Sequence, residues 1–136
     1  MNRAALAFLT VPLVSLALLG CGTAAANQYD SADPVHCSIV FSVTIPAARA
    51  RSDHRLADEM TARLIHLARS QGGIGWLNEI SPQAMEIAAG WEASPDREAL
   101  LSLFDRCKAE QNNDPAFQAA APALLAEAKR VKAGMP

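Results

Sequence analysis

A chain of 136 residues with a formal charge of −2 is sized for one small domain with a modest core. It has no basic surplus of the kind that nucleic-acid binding shows, so no nucleic-acid partner is expected. Aromatic residues make up only 5% and alanine is abundant, a balance that favours helices packed with close backbone approach.

The chain opens on Met1-Asn2-Arg3, a short segment with one positive charge. Residues 4–19 are then apolar and uncharged, interrupted only by Thr10, Pro12 and Ser15. This run falls short of the roughly 20 residues a membrane span needs. Pro12 also removes a backbone donor from any helix there. A small-residue segment follows, so residues 1–26 read as a bacterial secretory signal. The expected destination is the periplasm or the periplasmic face of a bacterial membrane.

Two cleavage sites are readable. Leu18-Leu19-Gly20-Cys21 resembles the lipobox of bacterial lipoproteins, although Leu19 stands where that pattern prefers a small residue. The resemblance covers these four residues. It implies that Cys21 is acylated, becomes the new N-terminus and anchors the protein to a membrane. The competing site is Ala24-Ala25-Ala26, an A-x-A signal for cleavage before Asn27. Loss of the leader removes Arg3 and no acid, leaving 11 basic against 14 acidic residues.

Either route takes Cys21 out of thiol chemistry. Cys37 and Cys107 remain, and two cysteines in an oxidising compartment read as one disulfide. Residues 27–33 are small and polar and are expected to form a flexible tether. The helical domain is expected over residues 34–136.

Asp33-Pro34 has the form of a helix start, with a carboxylate cap and proline in the first turn. The same device recurs at Ser81-Pro82, Ser94-Pro95 and Asp114-Pro115. Residues 35–45 alternate as a strand would, with Cys37, Ile39, Phe41, Val43 and Ile45 on one side. No other segment alternates to partner it, so a helix is expected there, ended or kinked by Pro46. Residues 51–70 carry a stripe of Leu56, Met60, Leu64 and Leu67, with Arg55, Glu59 and Arg63 spaced for pairing on another face. Gly72 and Gly73 stop that helix. Residues 74–80 are expected as a loop, residues 82–93 as a short helix, and residues 95–111 as an amphipathic helix on Leu100, Leu103, Phe104 and Cys107. Residues 115–133 are alanine-rich and helical, kinked or split at Pro122.

Motifs for chemistry are sparse. His36, His54 and His66 lack metal-ligand spacing, so neither a metal nor a cofactor is expected. Gln71-Gly72-Gly73-Ile74-Gly75 is followed by Trp76 rather than the Lys of a phosphate loop. No G-x-S-x-G elbow is present. Glu79 and Glu86 are the candidate carboxylates for an enzyme acting on cell-wall material. Arg49, Arg51, His54 and Arg55 are interleaved with Asp53, Asp58 and Glu59, and are expected to form a solvated, salt-bridged helix start. Trp76 and Trp91 are either core anchors or interface residues.

The expected fold is all-α, a small bundle of four to five short helices with one disulfide. The expected function is a non-catalytic binding or assembly accessory of the cell envelope, with an envelope protein as partner. A small cell-wall-acting enzyme is the alternative.

Overall fold

The computed structural model describes residues 28–134. The signal segment, the lipobox with Cys21 and both cleavage sites lie outside the described residues. Within them the fold is five helices and no strand. These are α1 (Pro34–Ala50), α2 (His54–Ser70), α3 (Gly75–Ala93), α4 (Arg97–Asn112) and α5 (Pro115–Lys132).

Helix α1 is the hub, and the helix reading of its alternating segment holds. Asp33 caps it by accepting from the Val35 N–H at 2.8 Å, with Pro34 in the first turn. Residues Val35 to Phe41 are all buried, which explains the apolar run: α2, α3 and α4 surround this half of the helix. The helix does not stop at Pro46. Proline removes one hydrogen bond, to the Ser42 carbonyl, but Ser42 and Pro46 share an exposed face where solvent can take that carbonyl. Termination comes four residues later in a Schellman turn. The Asp53 N–H reaches the Ala48 carbonyl at 2.9 Å and the Ser52 N–H reaches Arg49 at 3.0 Å, with Ser52 at φ 59°.

Helix α2 is capped by Asp53 and ends in a second turn of the same kind at Gly72, φ 114°. It buries two faces. Met60 is fully enclosed against α1, with Leu56, Leu64 and Leu67 packed around that core. On the other side, Ala62 and Ile65 meet Phe117, Leu124 and Ala128 of α5. Arg63 does pair with Glu59, at 2.9 Å, but from a buried position. Its guanidinium also reaches Asn112 at 2.8 Å and the Lys108 carbonyl and Gln111 at 3.4 Å, and lies over the Phe117 ring. A buried cation satisfied this fully is a joint between α2, α4 and α5.

Two of the four expected helix starts are elsewhere. All but the first of residues 74–80 belong to α3, which begins at Gly75 and runs through Pro82. The carbonyl Pro82 leaves unpaired is that of exposed Asn78, the same escape used at Pro46. At Ser94-Pro95 the cap is two residues late: Asp96 accepts from the Ala99 N–H at 3.0 Å and α4 starts at Arg97. Asp96 reaches the N3 donor that Ser94, upstream of a proline, does not engage. The start at Asp114-Pro115 holds, and Pro122 lies inside a continuous α5.

Cys37 and Cys107 are paired at disulfide distance, with Cα atoms 5.6 Å apart. The Phe41 and Phe104 rings meet edge to face at 6.3 Å between centroids. These two pairs fix α1 and α4 as antiparallel neighbours. Gln28 to Asp33, within the segment expected as a tether, instead form turns laid on the bundle. The Arg106 guanidinium donates to the Tyr29 carbonyl at 2.9 Å, Ser31 bonds Glu110, and the Asp30 N–H donates to His36 Nδ1 at 3.0 Å.

Candidate functional site: an apolar groove between three helices

Helices α3 and α4 are consecutive but make little contact with each other; both pack on α1 instead. Their divergence leaves an open groove of about 690 Å³, floored by α1 and walled by the last turns of α3 and the first turns of α4. Ile39, Val40, Leu56, Trp91, Leu100 and Phe104 form its lining. Val43 and Leu101 stand at its lips, 55% and 60% exposed.

Three charged side chains line the groove: Arg51, Glu92 and Arg97. The antiparallel register places both guanidiniums toward one end. Cys37 pairs with Cys107, Phe41 with Phe104, and following both helices in that direction leads to Arg51 at the end of α1 and Arg97 at the start of α4. Neither guanidinium has an ion-pair partner within 4.0 Å among the described residues. The expected salt-bridged helix start is therefore not formed. Glu59 turns to Arg63 and Lys108, and Asp53 is occupied as the α2 cap.

Trp91 is a core anchor, 6% exposed, with one edge on the groove. The helical spacing of α3 aims it inward, where Tyr29 packs on it tilted at 5.4 Å and His36 meets it edge-on at 5.3 Å. Its indole N–H donates to the Gln28 carbonyl at 3.2 Å, so the buried polar handle is satisfied. Trp76 is half-buried, packed on the same core near the start of α3, about 22 Å and four turns before Trp91.

The remaining candidates are dispersed. Glu79 and Glu86 are both exposed, two turns apart on α3 and away from the groove lining. His36 accepts from the Asp30 N–H, His54 is exposed at the start of α2, and His66 Nε2 sits 3.0 Å from Asp114 Oδ2. That contact and the Ala116 N–H hold the Asp114 carboxyl below its ordinary value. Among the described residues no three His, Cys, Asp or Glu side chains gather as a metal site.

Sequence reasoning missed Arg97, Val43 and Leu101. Leu101 lies one residue off the stripe of Leu100, Leu103 and Phe104, and Val43 lies beside the Val40 and Phe41 face. Apolar residues flanking a helix's buried stripe were the available signal.

Among the described residues, the fold and groove define a disulfide-tied five-helix domain with an amphipathic recess of ligand-binding size. No protein-family model, curated protein or solved structure matches the chain.

Proposed function

We propose that this protein is an exported, non-catalytic binding module of a bacterial cell envelope, serving as an accessory or assembly factor. The observation that carries the reading is the Cys37–Cys107 pair. Paired thiols persist in oxidising compartments and are rare in the cytosol, which agrees with the apolar leader of residues 1–26. The open groove supports binding rather than bond-breaking, because its lining is mostly aliphatic and aromatic, with two arginines toward one end. When the lipobox is used, acylated Cys21 holds the module to a membrane; cleavage after Ala26 releases it into the periplasm.

Fractionation of the producing bacterium with intact-mass analysis tests this. The expected result is protein in the envelope fractions, either acylated at Cys21 or beginning at Asn27, and two hydrogens lighter than the fully reduced chain. Full-length protein in the cytosol with both thiols free would overturn it.

A further inference from the structure

We infer that the groove between α1, α3 and α4 is a site for one long-chain fatty acid, its carboxylate held at Arg51 and Arg97. The inference deepens the binding-module reading and rests on it. A recess of about 690 Å³ is within the range of roughly 300–1,000 Å³ typical of small-ligand sites. Such sites are mostly apolar with a few polar groups that set orientation, and this one has that composition. Ile39 and Val40 of its floor and Leu100 and Phe104 of its wall offer an alkyl chain hydrocarbon contacts.

The charge pattern selects the head group. Two guanidiniums against one carboxylate, Glu92, leave the lining of the groove net positive. Arg51 and Arg97 lack ion-pair partners among the described residues, so an arriving carboxylate need not break an existing pair. Arginine presents a planar fork of donors matched to a carboxylate. A ligand with one anionic end and one apolar chain matches an apolar groove whose two arginines stand toward one end. Exposed Val43 and Leu101 would then lose water on binding, which gives them a partner that the free protein lacks.

The test uses the full chain carrying Cys21→Ser, exported, delipidated and with its disulfide intact. Trp76→Phe in the same chain leaves Trp91, on the groove, as the single tryptophan reporter. Brominated stearic acid should quench Trp91 saturably at one per chain, below its micellar concentration. Across saturated acids of 10 to 14 carbons, affinity should rise about fourfold per methylene. Arg51→Gln with Arg97→Gln should weaken stearate at least tenfold and leave stearyl alcohol unchanged. Leu101→Asp, at an exposed position, should abolish binding of both while leaving the melting temperature intact. Equal binding of acid and alcohol by the parent protein would overturn the inference. So would absence of saturable quenching, or sedimentation showing a dimer that closes the groove. An exported, disulfide-bonded protein that takes up no fatty acid overturns this inference alone; retention in the cytosol overturns the function proposed above.

Discussion

Breaking the Cys37–Cys107 bond should be the most damaging covalent change available to this domain. The bond joins residues 70 apart in sequence. On the chain-entropy account, closing a loop of that length contributes about 4 kcal/mol at 25 °C. The core is small: Phe41, Met60, Leu103 and Cys107 are its largest fully enclosed side chains. Against a total stability of about 5–15 kcal/mol, the bond is a large share. At about 4–8 °C per kcal/mol for a domain near 100 residues, reduction should lower the melting temperature by about 15–30 °C. Far-ultraviolet circular dichroism, with and without a phosphine reductant, measures the shift. The Cys37→Ala, Cys107→Ala double variant separates the loop from the packing, since it also removes two buried sulfur atoms and should melt somewhat lower than the reduced parent. A reduced protein melting within about 4 °C of the oxidised one would refute the reasoning, because the loop would then contribute under about 1 kcal/mol. Alkylation of two cysteines in the unfolded, unreduced protein would refute the bond itself.

Phe41→Ala should cost about 3–5 kcal/mol in urea denaturation, since Phe41 is wholly buried at the crossing of α1 and α4; a loss under 1 kcal/mol would contradict that placement. Gly73→Ala should destabilise by about 1–2 kcal/mol through backbone strain alone, because its φ is 130° and an added Cβ meets nothing within 4 Å. Gly90→Ala, inside α3 with equally open surroundings, should instead stabilise by about 0.5–1 kcal/mol. Asp114 has its carboxyl pulled below the ordinary 3.8, first by His66 and then by the Ala116 N–H. A depressed folded-state value means the contribution is present above the unfolded-state value and is lost as pH falls through the folded one. Asp114→Asn should therefore flatten the acid limb of melting temperature against pH below about 4, and an unchanged limb would assign acid sensitivity to other carboxylates.

The helical class, the Cys37–Cys107 pairing and the Asp33 and Asp114 caps were all legible from residue order. Each rests on local chemistry or on simple elimination. The α1 assignment needed more, because Ile39, Phe41, Val43 and Ile45 alternate as a strand does; the lack of any partner strand decided it. Proline misled twice as a helix-start signal. Ser81-Pro82 has the form of a helix start, yet Trp76, Leu77, Ile80, Ala84, Ile87 and Ala88 keep helical spacing straight through it. That continuous stripe outweighed the local signal, since losing one hydrogen bond at a solvent-exposed carbonyl is tolerated when a whole face packs. At Ser94-Pro95 the competing cap was Asp96, which reaches the Ala99 donor. The groove was not legible, because it depends on α3 and α4 both choosing α1 over each other, a preference no single segment encodes.

The bridge and the groove follow from one feature, the antiparallel register of α1 and α4. Cys37 is one turn into α1 and Cys107 is near the end of α4, so the covalent tie lies at one end of the pair. Phe41 and Phe104 fill the next layer. Beyond them lie the first turns of α4 and its three-residue link from α3, Ser94 to Asp96, and α3 and α4 make little contact with each other. The layer that would hold Val43, Leu100 and Leu101 together therefore stays open, with Arg51 and Arg97 at its far edge. In a bundle held by apolar contact alone, such a layer would tend to close, since closing it buries exposed Val43 and Leu101. A disulfide two layers away supplies stability that the open layer does not. The domain can thus keep an apolar recess exposed without relying on it for folding, which is the condition a binding site needs.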